Sequence, residues 1–255
     1  MRKRDIKKGF SLTEVMMAVG ILAVALVFIA GTFPVGVSLT AVATERTIAA
    51  VVSDEAFAKI RIYGVDMNPG DPNHPFNNGG CAVFDVNMTP GRFFDSNEYE
   101  YPSTYLAGPE EKKYTWAALC RLAEPGDPAS RLVQMTVFIS RISGAWGRYP
   151  RDANDSFGGL MPVPVRIEVQ TVAGDDKRVE VLNNKQRLVH EGSTIVEDST
   201  GEIYRVVGRD SWADEQLLLD RVWQGGANGY IWVIPSAISG GRYPCVGVYQ
   251  KVVRF

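Results

Sequence analysis

The sequence predicts an α+β protein. A long N-terminal helix, membrane-spanning in its first half, precedes a β-rich body built as an antiparallel sheet or small barrel. Three observations predict this. No charged residue occurs from Val15 to Thr44. An apolar stripe at helical spacing then runs from Ile48 to Tyr63. Beyond Pro164, short apolar runs recur about every ten residues between turn residues.

The apolar run is long enough to cross a bilayer. Val15 to Val37 alone supplies 23 residues, and a helix rising about 1.5 Å per residue needs roughly 20 to span a hydrocarbon core of about 30 Å. Residues 1–9 hold five basic groups (Arg2, Lys3, Arg4, Lys7, Lys8) against one acid, Asp5. Such a cluster stays in the cytoplasm, which places the body on the other side of the membrane. Ala41-Val42-Ala43 has the small residues of a signal-peptide cleavage site, but the apolar stretch is too long for that reading. A plain anchor fits the length and leaves Gly9-Phe10 and Glu14 without a purpose.

Gly9-Phe10-Ser11-Leu12-Thr13-Glu14, preceded by Lys7 and Lys8 and followed by the apolar helix, resembles the leader junction of type IV pilins and type II secretion pseudopilins. The run E-V-M-M-A-V-G-I-L-A is most similar to the minor subunits. The resemblance covers about the first 35 residues of the chain. It implies a leader at 1–9; the residue pattern then predicts a helix over 10–63 and a body over 64–255 with a sub-boundary near 160. The resemblance further implies that a prepilin peptidase cuts between Gly9 and Phe10 and methylates the new amino group of Phe10. Lys7 and Lys8 would hold the leader on the cytoplasmic side. Glu14 would pair with the amino terminus of a neighbouring subunit, which agrees with the need of a charge in lipid for a partner. The implied partners are the peptidase, other pilin or pseudopilin subunits, an inner-membrane assembly platform and the bilayer. The implied location is the inner membrane, with the body in the periplasm, and then a periplasmic or extracellular filament.

Past the span, Ile48, Val52, Ala56, Ile60 and Tyr63 recur at steps of four, four, four and three among charged residues, which is an amphipathic continuation. Gly64 and Asn68-Pro69-Gly70 end it. Pro34, between Gly31 and Gly36, predicts a local kink.

The 25 Gly and 14 Pro favour a turn-rich, β-rich body over a helix bundle. Residues 65–110 read as irregular, with one short strand near Cys81–Val86. A short helix is expected around Lys113–Leu122, a strand over Leu132–Ile142, and a loop over 143–161. V-R-I-E-V-Q-T-V and R-V-E-V-L form a hairpin across Gly174-Asp175-Asp176. Further strands follow in T-I-V-E, I-Y-R-V-V, Q-L-L-L, Y-I-W-V-I and the C-terminal V-G-V-Y-Q-K-V-V-R-F.

Little of the body points to chemistry. Net charge is −2, and without residues 1–9 the chain keeps 22 basic and 28 acidic residues, so no nucleic-acid partner is expected. His74 and His190 read as solvated loop residues, with no metal or catalytic motif around either, and the expectation is no enzyme and no cofactor. Asp152-Ala153-Asn154-Asp155-Ser156-Phe157-Gly158 alternates oxygen donors as a calcium loop does, yet lacks a closing glutamate, and reads as an Asx-rich turn. Trp212, Trp223, Tyr230, Trp232, Tyr243 and Tyr249 read as packing residues rather than a binding face. Cys81, Cys120 and Cys245 allow one disulfide in any of three pairings, or three buried thiols; the sequence leaves this open. A displayed adhesin or DNA-uptake module and an exported enzyme on a plain anchor are the alternatives.

Overall fold

The computed structural model describes residues 9, 11–66, 76, 79–85, 88–89, 95–103, 112–124, 131–142, 147–155, 157–210, 213 and 215–255. The chain divides into two compact units, one ending at Thr47 and one running Ile48–Phe255. One helix, α1 (Leu12–Tyr63), supplies most of the first unit and opens the second.

In the first unit α1 has no covered face. Leu12, Met16, Ile21, Phe28, Phe33 and Leu39 are all exposed, although each is apolar. The hydroxyls of Thr32, Thr40, Thr44 and Thr47 donate to main-chain carbonyls three or four residues back, so these polar groups are satisfied within the helix. The helix continues through Pro34.

In the second unit the remaining turns of α1 bury the predicted stripe. Ala49, Val52, Ala56, Phe57 and Ile60 are buried, with Ile48 and Tyr63 packed beside them. The helix stops at Gly64, whose φ of 80° is left-handed and whose N–H donates to the Ile60 carbonyl at 2.9 Å.

The stripe packs on an antiparallel sheet of five strands: β1 (Ala82–Val83), β2 (Glu100–Tyr101), β3 (Tyr114–Leu122), β4 (Leu132–Arg141) and, from the chain's end, the strand Cys245–Arg254. Both faces of this sheet are covered. Trp116, Ala118 and Cys120 of β3, with Val133, Met135, Val137 and Ile139 of β4, join the helix residues in one core. The alternate positions Leu119 and Phe138 join Val196, Trp232 and Ile234 in a second cluster on the opposite face.

That second layer belongs to a closed six-stranded barrel. Its strands are β5 (Val165–Thr171), β6 (Arg178–Val181), β7 (Thr194–Glu197), β8 (Ile203–Arg209), β9 (Gln216–Leu219) and β10 (Asn228–Val233), joined in the order β10-β5-β6-β9-β8-β7. Inward residues alternate along each strand: Val165, Ile167 and Val169 of β5, Val179 and Val181 of β6, Tyr204 and Val206 of β8, Ile231 and Val233 of β10. After β10 the chain returns to the first sheet as β11 (Cys245–Arg254), paired with β4 along its length.

One expected element is wrong in kind. Residues 114–122 form β3, not a helix. A strand covered on both faces loses its polar alternation and reads as a continuous apolar run, which T-W-A-A-L-C does. The Asp198-Ser199-Thr200-Gly201 turn was legible only as a turn, yet it joins the two layers. Asp198 is buried; its Oδ2 receives Arg166 at 2.7 Å, and its Oδ1 receives the Trp232 indole at 2.6 Å and the Cys81 N–H at 3.1 Å. Arg121 of β3 donates to the Thr200 carbonyl at 2.5 Å, and Gln250 of β11 to the Gly201 carbonyl at 2.8 Å. Gly80 is required beside this joint, because a Cβ there would lie 2.6 Å from the Asp198 carboxylate.

All three cysteines are free. Ala82 faces Cys120 across the β1–β3 ladder, so the adjacent Cys81 points to the other side of the sheet. Cys245 pairs with Ser140, which in turn faces Thr115, at the far end of β3 from Cys81. No two of these thiols can meet without moving backbone. Burial raises the Cys81 and Cys245 thiols to about 12, with Asp198 adding to the rise at Cys81, and burial raises Cys120 as well. The expected titration with a thiol reagent is three reactive groups in unreduced, denatured protein and slow reaction in the folded chain. A count of one in the denatured, unreduced chain would contradict this arrangement.

Candidate functional site

The segment around the Gly-Phe junction starts with Gly9, which is exposed. No heavy atom lies within 4 Å of where a Cβ would stand, and its φ is not left-handed. Nothing among the described residues therefore requires glycine at this position. Lys7, Lys8 and Phe10 lie outside the described residues.

The helix begins at Leu12, two residues past Phe10, and its start is a capped one. Ser11 occupies the N-cap: its Oγ accepts the Glu14 N–H at 3.2 Å, and its carbonyl accepts the Val15 N–H at 3.2 Å. Ser11-Leu12-Thr13-Glu14 is the S-x-x-E pattern of a capping box, with Glu14 at the third helical position. The spacing was available in the sequence, but Ser11 is there merely part of a family-like string; the geometry gives it a role of its own. Unpaired N–H groups and the positive end of the helix dipole also make the first turn a favourable place for a carboxylate.

Glu14 is exposed, as is every described residue from Ser11 to Ala41. Its carboxylate stands at the entry to the uncharged stretch, so any apolar medium around that stretch meets it first. An ionised acid at the centre of a membrane helix costs about 2.5–3.5 kcal/mol on insertion scales. A nearby cation lowers that cost by supplying opposite charge and donors.

Among the described residues the body has a concavity of ≈ 690 Å³, lined by Pro150, Asp155, Leu188, His190, Ser236 and Tyr243 among others. It sits where β5 begins and β10 ends, at one mouth of the barrel. Asp155, His190 and Ser236 are residue types of a nucleophilic triad, but no hydrogen bond joins them. Asp155 is committed to its own loop: Oδ2 receives Arg151 Nε at 2.8 Å, and Oδ1 receives the N–H groups of Phe157 and Gly158, both at 2.9 Å. These bonds, led by Arg151, hold its carboxyl well below the usual range. Asp152 accepts the Asn154 N–H at 2.7 Å, and the Asn154 side-chain Oδ1 accepts Lys185 Nζ at 2.7 Å. The oxygens of this loop thus face N–H donors, as in an Asx-rich turn. Ser156 of the loop lies outside the described residues.

His190 is half-buried rather than solvated, and His74 lies outside the described residues. Trp223 and Trp232 are buried packing residues, whereas Tyr230 is exposed with Arg166 stacked 3.8 Å over its ring. Trp212 is outside the described residues.

Residues 4–30 match the family model of the prokaryotic N-terminal methylation motif, which is consistent with a type IV pilin or pseudopilin. No curated protein and no solved structure matches the chain. The matched stretch contains Gly9, Phe10, the Ser11 cap and Glu14, and continues into a helix long and apolar enough to cross a membrane.

The cavity yields a pH prediction. Burial, with help from Arg209, lowers the His190 pKa below 6.5. Below pH 6.5 the unfolded chain therefore binds a proton at His190 that the folded chain resists, and stability falls as pH drops through that window. Replacing His190 with Asn should remove this part of the acid-side loss, seen by denaturant titration at several pH values. A wild-type-to-variant difference that stays constant from pH 7 to 5 would contradict a half-buried imidazole.

Proposed function

We propose that a chain carrying this motif is a minor pilin or pseudopilin. It is a membrane-inserted precursor, cut between Gly9 and Phe10 by a prepilin peptidase, methylated on Phe10 and assembled into a type IV pilus or secretion pseudopilus. The observation that carries this reading is the coincidence of the methylation motif at residues 4–30 with a capped helix start at Ser11. The cut would leave a chain of Phe10-Ser11-Leu12-Thr13-Glu14, so a new ammonium would stand one residue before the N-cap.

Each residue then has a task of its own. A glycine at the cut leaves room for the peptidase, which accounts for a residue that no described neighbour requires. Ser11, the second residue after the cut, caps the helix and satisfies one of its N–H groups. Glu14 offers a carboxylate to the ammonium of a neighbouring subunit, and neutralisation lets both charges remain in lipid. The uncovered helix provides the surface along which subunits pack. The body, with its two-sided sheet and barrel, is what the filament carries outside the inner membrane.

We infer no catalytic role. The supporting observation is that Asp155 is occupied by Arg151 and main-chain N–H groups. A calcium requirement has the same argument against it.

Two substitutions separate processing from assembly. Gly9→Val should leave the precursor uncut, seen as an unshifted band beside the mature form. Glu14→Ala should be cut normally but enter filaments at least about tenfold less, since losing one charge partner in lipid removes a pairing worth more than 1.4 kcal/mol. Normal incorporation of the alanine variant would end the role assigned to Glu14.

A further inference from the structure

The first sheet ends on a long strand whose outer edge pairs with no other described strand. β11 borders β4 on one side only, and not one of its ten residues is buried. Neighbouring β4, of the same length, is buried at seven positions. The strand contains no proline, and its one irregularity is a bulge at Cys245/Gly247. Proteins usually blunt a long edge with bulges, prolines or short length, because its free N–H and C=O groups template another strand.

The register shows which groups are free. Arg254 faces Leu132, so Phe255 faces Arg131 in the same series, and the Phe255 N–H donates to the Arg131 carbonyl at 2.9 Å. In an antiparallel ladder, inward-bonding residues alternate. Val253, Lys251, Tyr249 and Gly247 therefore bond β4, and Val248, Gln250, Val252 and Arg254 turn their N–H and C=O groups outward. Those outward main-chain groups have no hydrogen bond to the described residues.

Charge decides the occupant. Lys251 and Arg254 are the strand's only charged residues, and it carries no acid. Lys251 is already paired with Asp54 of α1 at 2.8 Å, so Arg254 is the strand's uncompensated charge, and a second copy of β11 brings no acid of its own to receive it. A strand bearing Asp or Glu would instead pair favourably with Arg254, which is exposed.

We propose that β11 is a docking edge that accepts an extended, acidic segment of a different subunit by β-strand addition. Main-chain bonds to Val248, Gln250, Val252 and Arg254 give affinity, and Arg254 selects the charge of the incoming strand. The identity of the donor as a filament subunit rests on the function proposed above; the edge itself does not.

Amide hydrogen exchange on the full processed chain tests this, first in detergent and then in filaments assembled with its partner subunits. In the free chain, the outward amides should exchange at least about tenfold faster than the inward ones. In filaments, both sets should be slow. Val252→Pro removes an outward N–H and leaves the β4 ladder intact. It should keep the wild-type melting temperature and enter filaments at least about tenfold less, and Arg254→Glu, which needs no backbone change, should lower incorporation in the same direction. Outward amides that stay fast within filaments, or wild-type incorporation of both variants, would overturn the inference while leaving the pilin reading standing. Outward protection that rises with concentration of the free chain alone would overturn it in favour of a second copy. Wild-type chain that never enters a filament would instead count against the pilin reading, and equal protection of the two amide sets in the free chain would still overturn the edge.

Discussion

About 30 Å of hydrocarbon is the constraint to which the N-terminal helix of this protein answers. A helix whose apolar side chains stand uncovered from Leu12 through Leu39 cannot rest in water, and nothing within its own unit shields it. Its environment must therefore be lipid or other helices. That demand explains the absence of charge from Val15 to Thr44, the hydroxyls folded back onto carbonyls, and the isolation of the one carboxylate at the helix entry.

The second unit solves the opposite problem, which is to bury everything. The final turns of α1 use one stripe against one face of the sheet, and the barrel fills the other face through Trp232, Val196 and Ile234. The joint is fixed by polar groups as well as apolar ones. Asp198 gathers an arginine, an indole and a main-chain N–H in one buried place, so each of its oxygens is satisfied.

The sequence disclosed elements whose pattern reports a single environment. The uncharged helix, the stripe from Ile48 to Tyr63 and the hairpin of β5 and β6 each face one medium per side, and their periodicity shows it. β3 was hidden because both of its faces are covered, which erased the alternation and left an alanine-rich run resembling a helix. Barrel closure was hidden for another reason: β10 pairs both β5 and β7, and long-range pairing of this kind leaves no local mark. At the candidate site, Gly9, Phe10 and Glu14 were readable as a motif, whereas the Ser11 cap needed coordinates to separate it from its neighbours. Asp198 looked like an ordinary turn residue, because burial of a carboxylate depends on strands more than thirty residues away.

The account depends on an amino terminus that the encoded sequence does not contain. Intact-mass analysis of the protein extracted from membranes measures it directly. The predicted mature chain lacks residues 1–9 and carries one added methyl group on Phe10. A chain that retains Met1, or one that begins at Thr44 after cleavage behind Ala41-Val42-Ala43, would contradict the account.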